Sequence, residues 1–400
     1  MIPLLRLPAF RRLAVATLGN SVGMMGELVV LGWLALELTN SPFLVGVAMS
    51  SRMIPLFFVG VPAGVLADRV PRHRLLVATS VGQTLTAAAL GAVTLLGAVT
   101  LTWLVVLTFV AGSVRAVEHA ARQSYTHDVV GASELMNGFV VLGVAMRAGW
   151  LLGSLGAGTV IAHFGSGAAY LAVAVSFLTG AAALLRASAP SGASPAATGT
   201  VWQGIVGFAR TVRTGGVLFV LMLLTAAAEI FGFSHQTLLP SLARDVLRVG
   251  PEGLGVLNAA RAVGGILGLF AVTARGPALR GGMVFLGVLA AFGVSLVVLG
   301  GAPHVVGFAG VVAVVIVVNA VGALADLFAQ SLTQLSVGGE LRGRAGGAWV
   351  VAIGLAPLGQ LQIGALASAF GVSIALGASG IGLVMLTLAA ALSFPSVRRL

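Results

Sequence analysis

The 400-residue chain contains no cysteine and no lysine, and only 8% of its residues carry a formal charge. The first absence excludes disulfides, thiolate metal sites and cysteine nucleophiles. The second leaves arginine as the whole basic set, 22 residues against 11 acidic ones. A soluble domain carries about 25% charged residues, so the third excludes a soluble globule. Hydrophobic residues make up 58% of the chain and the mean hydropathy is +1.08. That is the composition of a polytopic membrane protein. The net charge of +11 would suggest nucleic acid only if it gathered on one soluble face. Most of the arginines lie instead in connectors between apolar runs, and no nucleic-acid partner is expected. The N-terminus shows no cleavable signal pattern, because Arg11 and Arg12 precede a span too long for a signal-peptide core.

About 20 apolar residues cross a bilayer. Twelve such runs are present, at roughly 12–36, 42–66, 75–97, 100–123, 135–161, 166–186, 216–240, 252–274, 282–301, 305–330, 345–369 and 373–394. Between the sixth and seventh the composition changes. Residues 187–214 open with Ala-Ser-Ala-Pro-Ser-Gly-Ala-Ser-Pro, a flexible segment with nothing to bury. Trp202, Ile205, Val206 and Phe208 then recur at near-helical spacing, as in a short helix lying on the inner leaflet. Three parts follow: a six-span bundle over 1–186, a linker over 187–214 and a second six-span bundle over 215–400. With the N-terminus inside, 16 arginines fall on cytoplasmic segments and only Arg244 and Arg248 fall outside. Both termini are therefore expected in the cytoplasm.

The two sets of spans are related. Ser41-Pro42-Phe43-Leu44-Val45-Gly46-Val47, leading to Arg52, lies on Gly250-Pro251-Glu252-Gly253-Leu254-Gly255-Val256, leading to Arg261, at a constant offset of 209. Gly153, Gly158 and Phe164-Gly165 lie on Gly359, Gly364 and Phe370-Gly371 at an offset of 206. Two alignments in the same order indicate parallel six-helix repeats.

Polar residues inside spans are the functional candidates, since each must face a bundle interior or a water-filled cavity. Glu27 is in span one, Arg52 in span two, and Arg115, Glu118 and His119 in span four. Arg147 follows in span five, Glu229 and His235 in span seven, Asn258 and Arg261 in span eight, and Asn319 and Asp326 in span ten. Arg115, Glu118, His119 and Arg122 share one helix face by their spacing. For any one of these residues, the plainer reading is an ion pair that fixes helix packing.

A charged knot, Gly64-Val65-Leu66-Ala67-Asp68-Arg69-Val70-Pro71-Arg72-His73-Arg74, reads as a turn at a membrane face. It resembles the signature loop between the second and third helices of major facilitator superfamily transporters, with Pro71 where that family has glycine. The resemblance implies an all-α fold of twelve transmembrane helices in two bundles. It also implies a gating loop built on Gly64, Asp68, Arg69, Arg72 and Arg74. Arg115 resembles a span-four arginine associated with proton transfer. Gly149, Gly153, Ser154, Ala157 and Gly158 resemble the glycine-rich span-five motif of drug and proton antiporters. Ser154 replaces that motif's proline, and small residues at this spacing also simply let helices pack closely. Connector phrases, among them Ala121-Arg122-Gln123-Ser124 and Glu340-Leu341-Arg342-Gly343-Arg344, resemble the enterobactin exporter-like branch.

That branch implies a bacterial inner-membrane exporter of a small amphiphilic compound such as a drug, macrolide or siderophore. It would work as a monomer by alternating access, with protons and membrane lipid as its other partners. The proton gradient would be its energy source, with no cofactor and no metal. Glu27 and Glu229 are the candidate proton carriers, and Asp326 a carrier or gate. Alternatives are a lipid or lysolipid flippase, a metal or solute carrier of the same fold, and a membrane sensor that transports nothing. An enzyme is not expected, because no close-set nucleophile, base or metal centre is present.

Overall fold

The computed structural model describes residues 4–185, 216–275, 281–336 and 352–398, and these are helical throughout apart from short turns. The linker expected over 187–214 and the connector at 340–344 lie outside the described residues. Twelve long helices lie among the described residues, in chain order. They are α1 (Pro8–Thr39), α2 (Pro42–Arg69), α3 (Arg72–Leu95), α4 (101–130), α5 (132–164), α6 (166–185), α7 (Gly216–Val246), α8 (Gly250–Arg275), α9 (Gly282–Gly301), α10 (Phe308–Leu335), α11 (Ala356–Phe370) and α12 (Val372–Ser393). Nine stretches among the described residues are long and apolar enough to cross a membrane, and one of them, Asn137–Leu185, holds both α5 and α6.

The breaks between helices follow from the residues that occupy them. The backbone runs helically from Leu101 to Leu185 except at Gly131 (φ 72°) and Gly165 (φ 81°), conformations that only glycine adopts without steric cost. Gly371 (φ 89°) makes the same break between α11 and α12. The charged knot is shorter than the sequence suggests. Residues 64–69 form the last turns of α2, and α3 begins at Arg72, leaving Val70 and Pro71 as the turn. Pro71 caps α3, where its missing N–H costs no hydrogen bond. Helix α7 is irregular: a π turn spans Ala228–Gly232 and a 3-10 segment spans Phe233–Leu238. Pro240 has no N–H to offer the carbonyl of Gln236, which disfavours regular α-helix there.

Packing divides the chain into two compact units. One comprises Met1–Asn40, Ser51–Ala197 and Gly250–Ala259, and the other Ser41–Ser50, Thr198–Val249 and Ala260–Leu400. The start of α8 thus packs with the first unit and the start of α2 with the second.

In the first unit, a methyl at Gly153 would collide with the Val22 carbonyl on α1, and one at Gly158 would lie 2.7 Å from the Pro251 carbonyl on α8. In the second, a methyl at Gly359 would lie 2.6 Å from the Ile230 carbonyl on α7, and one at Gly364 would lie 2.8 Å from the Pro42 carbonyl on α2. These are the residues that the repeat aligns. Each unit uses glycine at the same two helix crossings, where backbones meet with no room for a side chain.

At the α2–α3 end of the first unit, Leu4, Phe10, Leu13, Leu75, Leu76 and Tyr125 form a buried apolar cluster.

The crossing at Gly153 makes a direct prediction. Gly153→Ala should destabilise the protein by about 1–3 kcal/mol through overpacking, lowering its thermal midpoint in detergent. Gly156→Ala, three residues on with open space around it, should not. Equal midpoints for the two variants would remove the argument.

Candidate functional site

Helix α1 is enclosed in the first unit because its small residues admit its neighbours. A methyl at Gly149 would lie 2.6 Å from Ser21 Cβ, and methyls at Gly23 and Gly26 would press on Phe177 and Val173 of α6. Glu27 falls inside this packing and is 4% exposed. Helix α4 reaches α2 through Gly112, whose missing side chain makes room for the Arg52 carbonyl. Arg115, one turn further along α4, and Arg52 therefore converge on the same carboxylate.

Glu27 Oε2 accepts from Arg115 Nη2 at 3.2 Å and from Arg52 Nη2 at 3.4 Å. Arg52, 8% exposed, also donates to the Met24 carbonyl at 3.4 Å. One carboxylate thus joins three helices and leaves one positive charge in excess. A charge this buried is tolerable only while paired and hydrogen-bonded.

The rest of the α4 stripe divides. Arg122 Nε lies 3.1 Å from Glu118 Oε1 as an ion pair, and Glu118 is buried. His119 is exposed, so it does not share the interior position of its neighbours. A small cavity of about 20 Å³ adjoins the stripe, walled by Thr17, Asn20, Gln83, Arg115, Glu118 and Arg122 among others. The sequence reading missed Thr17, Asn20 and Gln83. Asn20 stands seven residues before Glu27 on the same helix face, and that spacing was the available signal.

At the α2–α3 end, Arg72 Nη1 donates to both Asp128 oxygens at 2.6 and 2.8 Å, tying α3 to α4. Arg72 is a clamp inside the first unit, and Arg74 is exposed. The side chains of Asp68 and Arg69 and the surroundings of Gly64, on which the gating expectation rests, lie outside what is described. His73 Nε2 lies 2.6 Å from the Leu184 carbonyl, linking α3 to the end of α6. Below it, burial first and the Asp128 charge second raise the Tyr125 hydroxyl above its ordinary pKa.

In the second unit, His235 Nδ1 donates to the Gly232 carbonyl at 2.8 Å, which leaves Nε2 as an acceptor for Asn319 Nδ2 at 3.5 Å. Asn319 also donates to the Val315 carbonyl at 2.9 Å. Arg261 is close enough to act on His235, and Asp326 on Glu229. Asn258 bonds back to its own helix at the Leu254 carbonyl. Arg147 is half-buried and joins no ion pair among the described residues. Gly149 and Gly153 pack on α1, Gly158 packs on α8, and Ser154 is fully buried, so the span-five motif serves helix packing here.

Residues 2–398 match the transmembrane secretion effector family of the major facilitator superfamily. The chain belongs to that family. It is similar to the staphyloferrin A transporter of Staphylococcus aureus, with 24% identity over 378 residues covering 93% of this chain and 91% of that one. The uncharacterised MFS-type transporter YfiS of Bacillus subtilis is 28% identical over 395 residues, covering 94% and 90%. Two solved structures share the fold. A bacterial homolog of the human lysosomal transporter Spinster, inward-facing and unoccupied, has a TM-score of 0.77 at 14% identity, with 98% of each chain covered. The nucleoside transporter NupG has a TM-score of 0.76 at 13% identity, covering 96% of this chain and 99% of its own. The family member described here is a multi-pass secondary transporter of the major facilitator fold, and not an enzyme.

The Arg72 clamp is testable by stability alone. Arg72→Ala or Asp128→Asn should each cost about 3–5 kcal/mol, because the partner's charge stays buried. Exchanging the two residues should recover part of the loss. A single variant that melts like the wild type would show that the pair clamps nothing.

Proposed function

We propose that this transporter is a proton-coupled exporter of a small amphiphilic compound, working by alternating access. The observation that carries the reading is Glu27, one buried carboxylate shared by Arg52 on α2 and Arg115 on α4. While Glu27 is ionised, it holds α1, α2 and α4 together. When it takes a proton, two guanidinium groups are left facing each other without their shared counter-charge, and that arrangement is costly at low dielectric. Proton occupancy and helix arrangement are then linked, as coupling requires. Glu229, in the π turn of α7, is the second candidate carrier, and Asp326 on α10 a carrier or gate.

The similarity to a protein named for transport of staphyloferrin A supports a siderophore-like cargo. The connector phrases support placement in the enterobactin exporter-like, drug-proton antiporter branch and export as the direction. The arginine distribution supports a bacterial inner-membrane setting with both termini in the cytoplasm. The working unit in this reading is a monomer that uses the proton gradient and no other cofactor. Its partners are the cargo, protons and membrane lipid.

The test is proton movement in proteoliposomes carrying an internal pH dye, on addition of siderophores, macrolides, cationic dyes and lysolipids. At least one amphiphile should evoke a proton flux in the wild type. Glu27→Gln should abolish that flux while the protein still inserts and binds cargo. Full gradient-driven transport by Glu27→Gln and by Glu229→Gln would overturn the coupling assignment.

A further inference from the structure

Arg147 is the one charge in the apolar run 138–158 of α5, nine residues from its first residue and eleven from its last. At 1.5 Å per residue those ends are about 14 and 17 Å away. In a hydrocarbon core about 30 Å thick, the guanidinium therefore sits near the midplane. Neither head-group layer is within reach of one side chain. The other two span arginines of the first unit, Arg52 and Arg115, both reach Glu27. Arg147 forms no ion pair and no hydrogen bond among the described residues.

The direction in which Arg147 points follows from its helix face. Ser154 and Gly158, seven and eleven residues further on, lie on the same face. There α5 meets the start of α8. A methyl at Gly255 would lie 2.7 Å from the Ser154 carbonyl, and one at Gly158 would lie 2.7 Å from the Pro251 carbonyl. Gly143, one turn before Arg147 on that face, has nothing within 4 Å of where its methyl would be. The face is shut at Ser154 and Gly158 and open at Gly143, and Arg147 lies between them. A cation turned toward lipid at this depth is costly, so an arginine here faces a water-filled space and what that space binds.

We propose that Arg147 anchors an acidic group of the cargo, a carboxylate or another oxyanion. The inference rests on the reading of this protein as an exporter of small amphiphiles and narrows it: the amphiphile carries a negative charge. A guanidinium presents its N–H donors in a planar fork that meets two oxyanion oxygens at once. Gly143 leaves room beside that fork, and Val140, Val144 and Leu151 on the same side of α5 are apolar, which suits the rest of an amphiphile. An anionic phospholipid offers the same oxyanion, but its head group belongs at the membrane face. The depth of Arg147 favours the cargo.

The chain has no cysteine, so one introduced thiol is the only one to react. In Gly143→Cys protein held in neutral phospholipid, modification rates are measured with anionic sulfonatoethyl methanethiosulfonate and with its cationic trimethylammonioethyl analogue. Both reagents should react. Adding Arg147→Gln should lower the anionic-to-cationic rate ratio about tenfold, the scale on which charge in a cleft changes approach rates. No modification, or an unchanged ratio, would overturn the anion site. Val140→Cys, on the same face, is the reporter should Gly143→Cys fail to insert. Protection identifies the source of the oxyanion: a dansyl-labelled fatty acid should slow the anionic reagent, and its methyl ester should not. Protection by phosphatidic acid alone, or by none of the three, would overturn the assignment to cargo. These measurements use no proton gradient. A protein that passes them but evokes no proton flux would lose the coupling reading and keep the acidic-cargo site.

Discussion

A carboxylate shut away from water must be held by something, and in this transporter two arginines from two other helices hold it. Glu27 on α1 is nearly inaccessible, and its charge is tolerable only because Arg52 and Arg115 reach it. Much of the first unit can be traced to that demand. Gly112 brings α4 onto α2, and Gly149 and Gly153 bring α5 onto α1. The Arg72 clamp fixes α3 to α4 at one end of the unit. Buried ion pairs of this kind add little net stability compared with apolar packing, and what they supply is a defined arrangement that changes when one partner changes charge.

The second unit repeats the scaffold with different chemistry. At nearly the same offset as the repeated glycines, His235 stands where Glu27 stands and Arg261 where Arg52 stands. His235 is fixed by the Gly232 carbonyl and offers Nε2 to Asn319 as an acceptor. It sits in the 3-10 segment that follows the π turn of α7, and such interruptions are common at functional sites. One unit thus centres on a charged carboxylate and the other on an imidazole bonded to a carbonyl and an amide. Duplication of the fold did not preserve duplication of the charge.

What could be read from the residues alone depends on whether the information is local. Apolar runs of span length gave the helices, because hydrophobic patterning is a short-range property. The repeat was legible because its glycines and arginines keep offsets of 206 and 209 in the same order. Glu27, Arg52 and Arg115 were each recognisable as intramembrane charges. Their meeting at one point was not, since the partners are 25 and 88 residues apart and no spacing rule links them. The Arg72–Asp128 pair, 56 residues apart, was hidden for the same reason. Helical spacing placed His119 with Arg115, Glu118 and Arg122, yet a shared face is broad enough for one member to end up exposed. The cavity wall was the least legible part, because Thr17, Asn20 and Gln83 become notable only once the cavity they border is seen.

The central claim is that Glu27 gains and loses a proton while buried. Infrared difference spectroscopy in lipid reports this through the carbonyl stretch of a protonated carboxyl group, recorded on acidification for the wild type and for Glu27→Gln. The account expects a protonated-carboxyl band in the wild type that the Glu27→Gln protein lacks. An identical band in both proteins would contradict it and place the titrating carboxyl elsewhere.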